Sequence, residues 1–221
     1  MTEPTSMIEP RPKVIFFDAV GTLFGVKGSV GQIYGAIAAE FGVEVAPQSL
    51  DWAFGQAFKA AGNPAFPGVD PAELAAREYS WWREVAIVTF DRAEVLPQFA
   101  DFDAFFATLF EYFATAAPWE LYSDTVTTLE TLRSAQIPLG ILSNFDSRLH
   151  RVLPALGLSD YFESVTISTE VGAAKPDAAI FQAALAKHGC AAVAAWHIGD
   201  SLDEDYRAAM AAGLKAIWLQ R

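Results

Sequence analysis

Side chains able to do chemistry stand at the ends of apolar runs in this sequence. Asp18 closes the run in "KVIFFDAVGTLF", and Ser143 and Asn144 close "IPLGILSNFD". Lys175 stands just before a proline in "GAAKPD", and Asp200 and Asp205 follow a further run in "IGDSLDED". A carboxylate in the turn after a buried strand can serve as a nucleophile or as a ligand for a hard cation. Gly21 permits a tight backbone after Asp18, and Thr22 offers a hydroxyl and an amide towards a bound anion. Ser143, with free amides at a helix start beside Asn144, makes a second anion-holding element. A cluster of acids at a strand end favours Mg²⁺. Each residue also has a plainer reading. Asp18, Ser143 and Asn144 are ordinary helix caps, Lys175 can be a solvated charge, and the acids around Asp205 suit the positive end of a helix.

The elements that must position these residues follow from the pattern of apolar runs. Runs of four to six β-branched and aromatic residues at 13–22, 137–146, 164–169, 194–205 and 215–220 read as buried parallel strands. Helical patterns at 123–136, 147–157, 177–189 and 205–213 alternate with them, several ending in glycine. This predicts a doubly wound α/β sheet with its ligands at the carboxyl ends of the strands. Residues 26–120 break the alternation with four or five aromatic- and alanine-rich helices. The expected organisation is a loose tail at 1–12, a core of 13–25 and 121–221, and a helical lid at 26–120.

Composition excludes several functions. Lys plus Arg number 15 against 27 Asp plus Glu, a net charge of −12, which disfavours nucleic-acid and anionic-membrane surfaces. No stretch approaches the roughly 20 apolar residues of a membrane span. A single cysteine, Cys190, rules out an internal disulfide and fits a reducing cytoplasm. Its setting is that of a packed thiol rather than a nucleophile. A small anionic substrate is still possible, because a few local cations can outweigh the global field, and the expected state is a cytoplasmic monomer or homodimer.

Taken together and in order, these motifs resemble the haloacid dehalogenase superfamily, and the resemblance runs from residue 13 to 221. "DAVGTL" is similar to its first motif, Ser143 to its second, Lys175 to its third and "GDSLDED" to its fourth. The helices after the first strand resemble the cap of its first subfamily, and "FFDAVGTLFGVKGSVGQIY" looks most like the REG-2-like branch. The resemblance implies a Rossmann-like core and a hydrolase in which Asp18 attacks phosphorus and forms an aspartyl-phosphate. It implies Mg²⁺ held by Asp18, the carbonyl of Val20 and Asp200, with Asp205 in support. Lys175 and Ser143 would assist catalysis. Phosphate would be held by Gly21, Thr22, Ser143, Asn144 and Lys175.

One position departs from the pattern. Phosphatases of this superfamily usually carry a second Asp where Val20 stands, to protonate the leaving oxygen and later activate water. General acid–base help is worth roughly 10²–10⁴ in rate, so acyl or aryl phosphates should suffer least from its absence. Haloacid dehalogenases have Tyr there and use no metal, and the retained Asp200 argues against them. Phosphonoacetaldehyde hydrolases use a cap lysine; Lys27 and Lys59 are the only lysines of the insertion. A protein that binds a phosphorylated ligand with little turnover is a further alternative. Lys27, Ser29, Tyr34 and Asp146 stand near the motifs, and any of them could touch a leaving group. Trp81, Trp82 and Arg83 read as packing, and His197 reads as a satisfied core imidazole.

Overall fold

The computed structural model describes residues 11–221. The tail expected at 1–12 lies outside the described residues except at its end. There Pro12 is buried and the Arg11 guanidinium donates to the Ala135 carbonyl, so the chain is already packed from Arg11.

The centre is a five-stranded parallel sheet. In chain order its strands are β1 (Val14–Phe17), β4 (Leu139–Ser143), β5 (Ser164–Ile167), β6 (Ala195–Gly199) and β7 (Lys215–Trp218). Two short strands, β2 (Phe24–Val26) and β3 (Trp119–Leu121), lie outside it. The order across the sheet is β5-β4-β1-β6-β7. β1 is central, pairing with β4 through Phe17↔Ile141 and with β6 through Phe17↔Ile198. A strand buried on both faces must be apolar throughout, and all four residues of β1 are buried. Its side chains alternate between two cores. Ile15 and Phe17 pack with Ile141, Leu149 and Val152, while Val14 and Phe16 pack with Leu142, Ile180 and Phe181.

Helices α1 (Val30–Glu40), α2 (Pro47–Ala61), α3 (Leu74–Arg92) and α4 (Phe102–Tyr112) lie between β2 and β3. They enclose a third core built on Tyr34, Leu50, Phe90, Phe105 and Phe106. Ser29 caps α1 by accepting from the Gln32 amide, and its hydroxyl donates to Asp51 at 2.7 Å. The sequence pattern gave no strand in this region. β2 and β3 nevertheless form an antiparallel ribbon at its base, with Gly25 opposite Glu120. Three residues each are too short to carry a period-2 signal.

Around the sheet stand α5 (Thr125–Ser134), α6 (Leu149–Ala155), α7 (Ser168–Val171), α8 (Ala178–His188) and α9 (Ala208–Ala211). The helix expected at 205–213 begins earlier, as a wide turn over Leu202–Arg207. In that turn the Tyr206 amide reaches back five residues to the Ser201 carbonyl at 3.1 Å. Cys190 follows α8 as a half-buried thiol packed against the Phe181 core, in keeping with its sequence setting. No helix among the described residues is long and apolar enough to cross a membrane.

Candidate functional site

Strands β1, β4 and β6 end side by side, and their ends bring Asp18, Ser143 and Asp200 to one edge of the sheet. Lys175, from the loop before α8, is only 2 % exposed and lies among them. Its ammonium donates to Asp18 Oδ1 at 2.7 Å and to Asp205 Oδ1 at 2.5 Å. Ser143 Oγ donates to the same Asp18 oxygen at 2.9 Å. Asp18 Oδ2 has only a long contact to Thr22 Oγ1, at 3.4 Å. One carboxylate oxygen is thus doubly engaged, and the other keeps lone pairs free for attack.

Asp205 is held from three sides. His197 Nε2 donates to its Oδ1 at 2.8 Å, and the Ser201 amide to its Oδ2 at 2.9 Å. Burial raises the Asp205 pKa, but the hydrogen bond from His197 and the charge of Lys175 outweigh it, so the carboxyl lies far below its usual range. Burial lowers the Lys175 pKa, yet Asp18 and Asp205 reverse this and leave it raised. The loop tolerates no bulk. A Cβ on Gly199 would stand 2.2 Å from Asp205 Cγ, and one on Gly21 would stand 2.5 Å from Asp200 Oδ2. Gly21 also has φ +90°, a backbone that side chains rarely adopt.

His197 was expected to be a satisfied core imidazole. It is fully buried and bonds Asp205, but its Nδ1 has no hydrogen-bond partner. Burial lowers its pKa more than the hydrogen bond to Asp205 raises it. Nε2 makes the bond to Asp205, and Nδ1 is buried without a partner among the described residues. Its work is to orient Asp205.

Asp18, Asp200 and Asp205 each bring one oxygen to within 4.8 Å of the others. Lys175 neutralises the first and last, while Asp200 accepts from Thr22 Oγ1 at 3.3 Å and has no cationic partner among the described residues. Desolvation and the charges of Asp18 and Asp205 together raise the Asp200 pKa. A carboxylate left short of positive charge beside two others is what a divalent cation would relieve, so the donor set fits Mg²⁺.

Asn144, expected beside a bound phosphate, spends its side chain on the Lys175 backbone, and Asn63 and Glu78 beyond it carried no sequence signal. Asn144 Nδ2 donates to the Lys175 carbonyl at 2.9 Å, while the Lys175 amide donates back to Asn144 Oδ1 at 2.7 Å. Asn63, on the helical insertion, donates to that same carbonyl at 3.1 Å and to Glu204 at 2.7 Å. Glu78 of α3 is 2 % exposed. It accepts from the Ser147 amide at 2.9 Å, from the Ser147 hydroxyl, and from Thr169 Oγ1 at 2.6 Å. Trp82, read as packing, also donates to Asp146 at 2.6 Å. Asp146 is the bidentate partner of buried Arg148, at 2.8 and 2.7 Å. The insertion therefore docks on the strand-end loops through Asn63, Glu78 and Trp82.

Other residues near the motifs do not reach the site. Lys27 and Lys59 are exposed. Arg83 pairs with Asp103, and Trp81 packs edge-on against Phe58 and Trp82. Tyr34 is buried in the insertion; burial drives its pKa well up, against the charge of Arg148. Beneath the insertion lies a cavity of about 280 Å³ whose lining includes Val20, Tyr34, Phe58, Trp82, Asn144 and Arg148.

A parallel sheet flanked by helices, with Asp18, the buried Lys175 and a three-carboxylate cluster at its strand ends, is a Rossmann-like α/β fold with a polar site at one edge. The profile of the haloacid dehalogenase-like hydrolase family matches residues 12–213, and the chain belongs to that family. It is 33 % identical to the human haloacid dehalogenase-like hydrolase domain-containing protein 3, over 91 % of this chain and 79 % of that protein. It is 31 % identical to the Rhythmically expressed gene 2 protein of Drosophila melanogaster, over 92 % of this chain and 81 % of that one, in line with the REG-2-like string. Its fold superposes on L-2-haloacid dehalogenase from Xanthobacter autotrophicus with a TM-score of 0.69 at 20 % identity, over 95 % of this chain and 78 % of that one.

Proposed function

We propose that this hydrolase is a Mg²⁺-dependent phosphohydrolase acting on a small phosphorylated substrate through an aspartyl-phosphate at Asp18. The observation that carries this reading is the charge imbalance of the site: three carboxylates gather around one ammonium. Asp18, the Val20 carbonyl and Asp200 would hold Mg²⁺, with Asp205 in support. The ion supplies positive charge to the phosphoryl oxygens when bound.

The chain's own residues account for the remaining steps. Asp18 Oδ2 attacks phosphorus; the bond to the leaving oxygen breaks, and its electron pair departs with that oxygen. Lys175, Ser143 and the backbone at Asn144 steady the phosphoryl oxygens, which is the main work in such transfers; the Gly21 and Thr22 amides, expected to help, are instead spent on the Phe24 and Ala19 carbonyls at 2.8 and 3.3 Å. Water then attacks phosphorus, the bond to Asp18 breaks, and the proton of the water leaves on the released phosphate. Val20 offers no proton to the leaving group, so the best substrates are those whose leaving group departs as a stable anion.

Carbon–halogen hydrolysis is the second reading, favoured by the apolar lining of the cavity beside Val20. Turnover of acetyl phosphate and p-nitrophenyl phosphate with Mg²⁺, with EDTA, and by Asp18→Asn separates the two. The phosphohydrolase reading expects metal-dependent turnover that Asp18→Asn abolishes. Activity of that variant would overturn the mechanism, and EDTA-resistant release of halide from 2-chloropropionate would move the assignment to the second reading.

A further inference from the structure

The cavity under the insertion points to the chemistry of the leaving group. We infer, resting on the phosphohydrolase reading, that it takes an aromatic leaving group of one or two rings with no charged substituent, so that the substrates are aryl phosphate monoesters. Three observations lead there.

The first is continuity with the nucleophile. Val20 stands two residues after Asp18, and Asn144 directly follows Ser143; both line the cavity. A phosphoryl group held at Asp18 therefore has its substituent next to this space.

The second is the character of the wall. Around Val20 it is formed by Phe58, Trp82, Phe110 and Phe113 among others, and its volume is about 280 Å³. An apolar cavity of roughly 150 Å³ holds benzene, so this one has room for a substituted or fused pair of rings. A sugar or polyol would leave most of its hydroxyls without partners here, at a cost for each one.

The third is the state of Arg148, the one cation in the wall among the described residues. Arg148 donates to both oxygens of Asp146 and, at 3.2 Å, to the Phe110 carbonyl. Its guanidinium lies 3.9 Å from the Phe110 ring centre and 5.1 Å from that of Trp82. Its charge is matched by Asp146 and three of its five N–H donors are engaged, so it forms part of an aromatic stack and carries no unmatched charge for a second anion. Trp82 likewise spends its indole N–H on Asp146. Carboxylated or doubly phosphorylated leaving groups are thereby disfavoured.

These features agree with Val20. A phenolate leaves with the electron pair of the broken P–O bond and takes its proton from water after release. The missing acid at position 20 and the apolar cavity are then two aspects of one specificity.

The test compares kcat/KM of the full chain, with Mg²⁺, for acetyl phosphate, phenyl phosphate, 2-naphthyl phosphate and glucose 6-phosphate. Phenol and 2-naphthol have closely similar acidity, so their ratio reports cavity filling and not leaving-group strength. The naphthyl ester is expected to exceed the phenyl ester by about 10- to 100-fold, as burial of the further ring carbons supplies. Glucose 6-phosphate is expected to fall at least a hundredfold below the naphthyl ester. In Phe58→Ala the naphthyl-to-phenyl ratio should drop about tenfold, mainly through KM. Equal rates for the two aryl esters, or a faster sugar phosphate, alongside acetyl phosphate turnover, would overturn the inference and leave the phosphohydrolase reading standing. No metal-dependent turnover of acetyl phosphate by folded protein would overturn both.

Discussion

Asn63 and Asn144, on opposite sides of the site, donate to the same two acceptors. Both side-chain amides bond the Lys175 carbonyl, at 3.1 and 2.9 Å, and both bond the Glu204 carboxylate, at 2.7 and 3.2 Å. Asn144 comes from the sheet, Asn63 from the helical insertion. The backbone of the buried lysine is thus fixed partly by a residue outside the sheet, and the docked insertion completes the site. Asn63→Ala should lower kcat for acetyl phosphate about 5- to 30-fold, the effect of one to two net hydrogen bonds on placement. An unchanged kcat would show that Asn144 alone positions Lys175.

Lys175 has two carboxylate partners and almost no contact with solvent. Replacing it by Met leaves Asp18 and Asp205 buried without their cation. Removing one partner from a buried ion pair costs about 3–5 kcal/mol. Lys175→Met should therefore unfold at markedly lower urea. Saturating Mg²⁺ should recover part of the loss by binding the folded form. A variant as stable as the parent in EDTA would contradict the charge balance described for the site.

Val20 lies both beside the nucleophile and in the cavity wall. A carboxylate there can donate a proton to an alkoxide leaving group, a contribution worth roughly 10²–10⁴ where fully realised. Val20→Asp should raise kcat/KM for glycerol phosphate at least tenfold and raise KM for aryl phosphates, since the new charge enters an apolar space. Unchanged rates on the alkyl ester would mean that another group already supplies the proton.

His150 on α6 pairs with Glu170 on α7 at 2.8 Å. The hydrogen bond to Glu170 raises the His150 pKa above 6.5 against a smaller effect of burial, and the bond from His150 lowers the Glu170 pKa below 4.5. The histidine contribution is complete below pH 6.5 and is lost as pH rises through its raised folded value. The glutamate contribution is complete above pH 4.5 and is lost as pH falls through its lowered value. The melting-temperature gap between the parent and His150→Gln should therefore be widest at about pH 5.5 and close by about pH 9. A gap independent of pH would sink this assignment. The pair is partly exposed, so the gap is small.

The sheet and the convergence of Asp18, Ser143, Lys175 and Asp200 were legible in the sequence because each depends on local pattern. An apolar run that ends in a polar residue marks a strand end, and parallel strands gather their ends at one edge. Asn63, Glu78 and Trp82 were not legible. Their roles depend on how α3 and the segment before it dock on loops far along the chain, and nothing in an amphipathic pattern names the partner across that interface. Glu78 lay within a pattern read only as amphipathic helix, whereas the structure buries it among three donors. The orphan Nδ1 of His197 was equally out of reach, because the sequence places the ring on a strand without saying that only one nitrogen finds a partner.

The ribbon of β2 and β3 has a bearing on how such a chain can change. Phe24 faces Leu121, Gly25 faces Glu120 and Val26 faces Trp119, so the backbone leaves the core and returns to it within about 5 Å. Seen from the sheet, everything between residues 27 and 118 closes like a hairpin turn, whatever its length, and lengthening it adds little loop-closure entropy. Helices there can be gained, lost or exchanged while the nucleophile stays in place. The insertion is a cassette, and the cavity wall it supplies can be re-lined while Asp18, Ser143 and Asp200 stay at the strand ends.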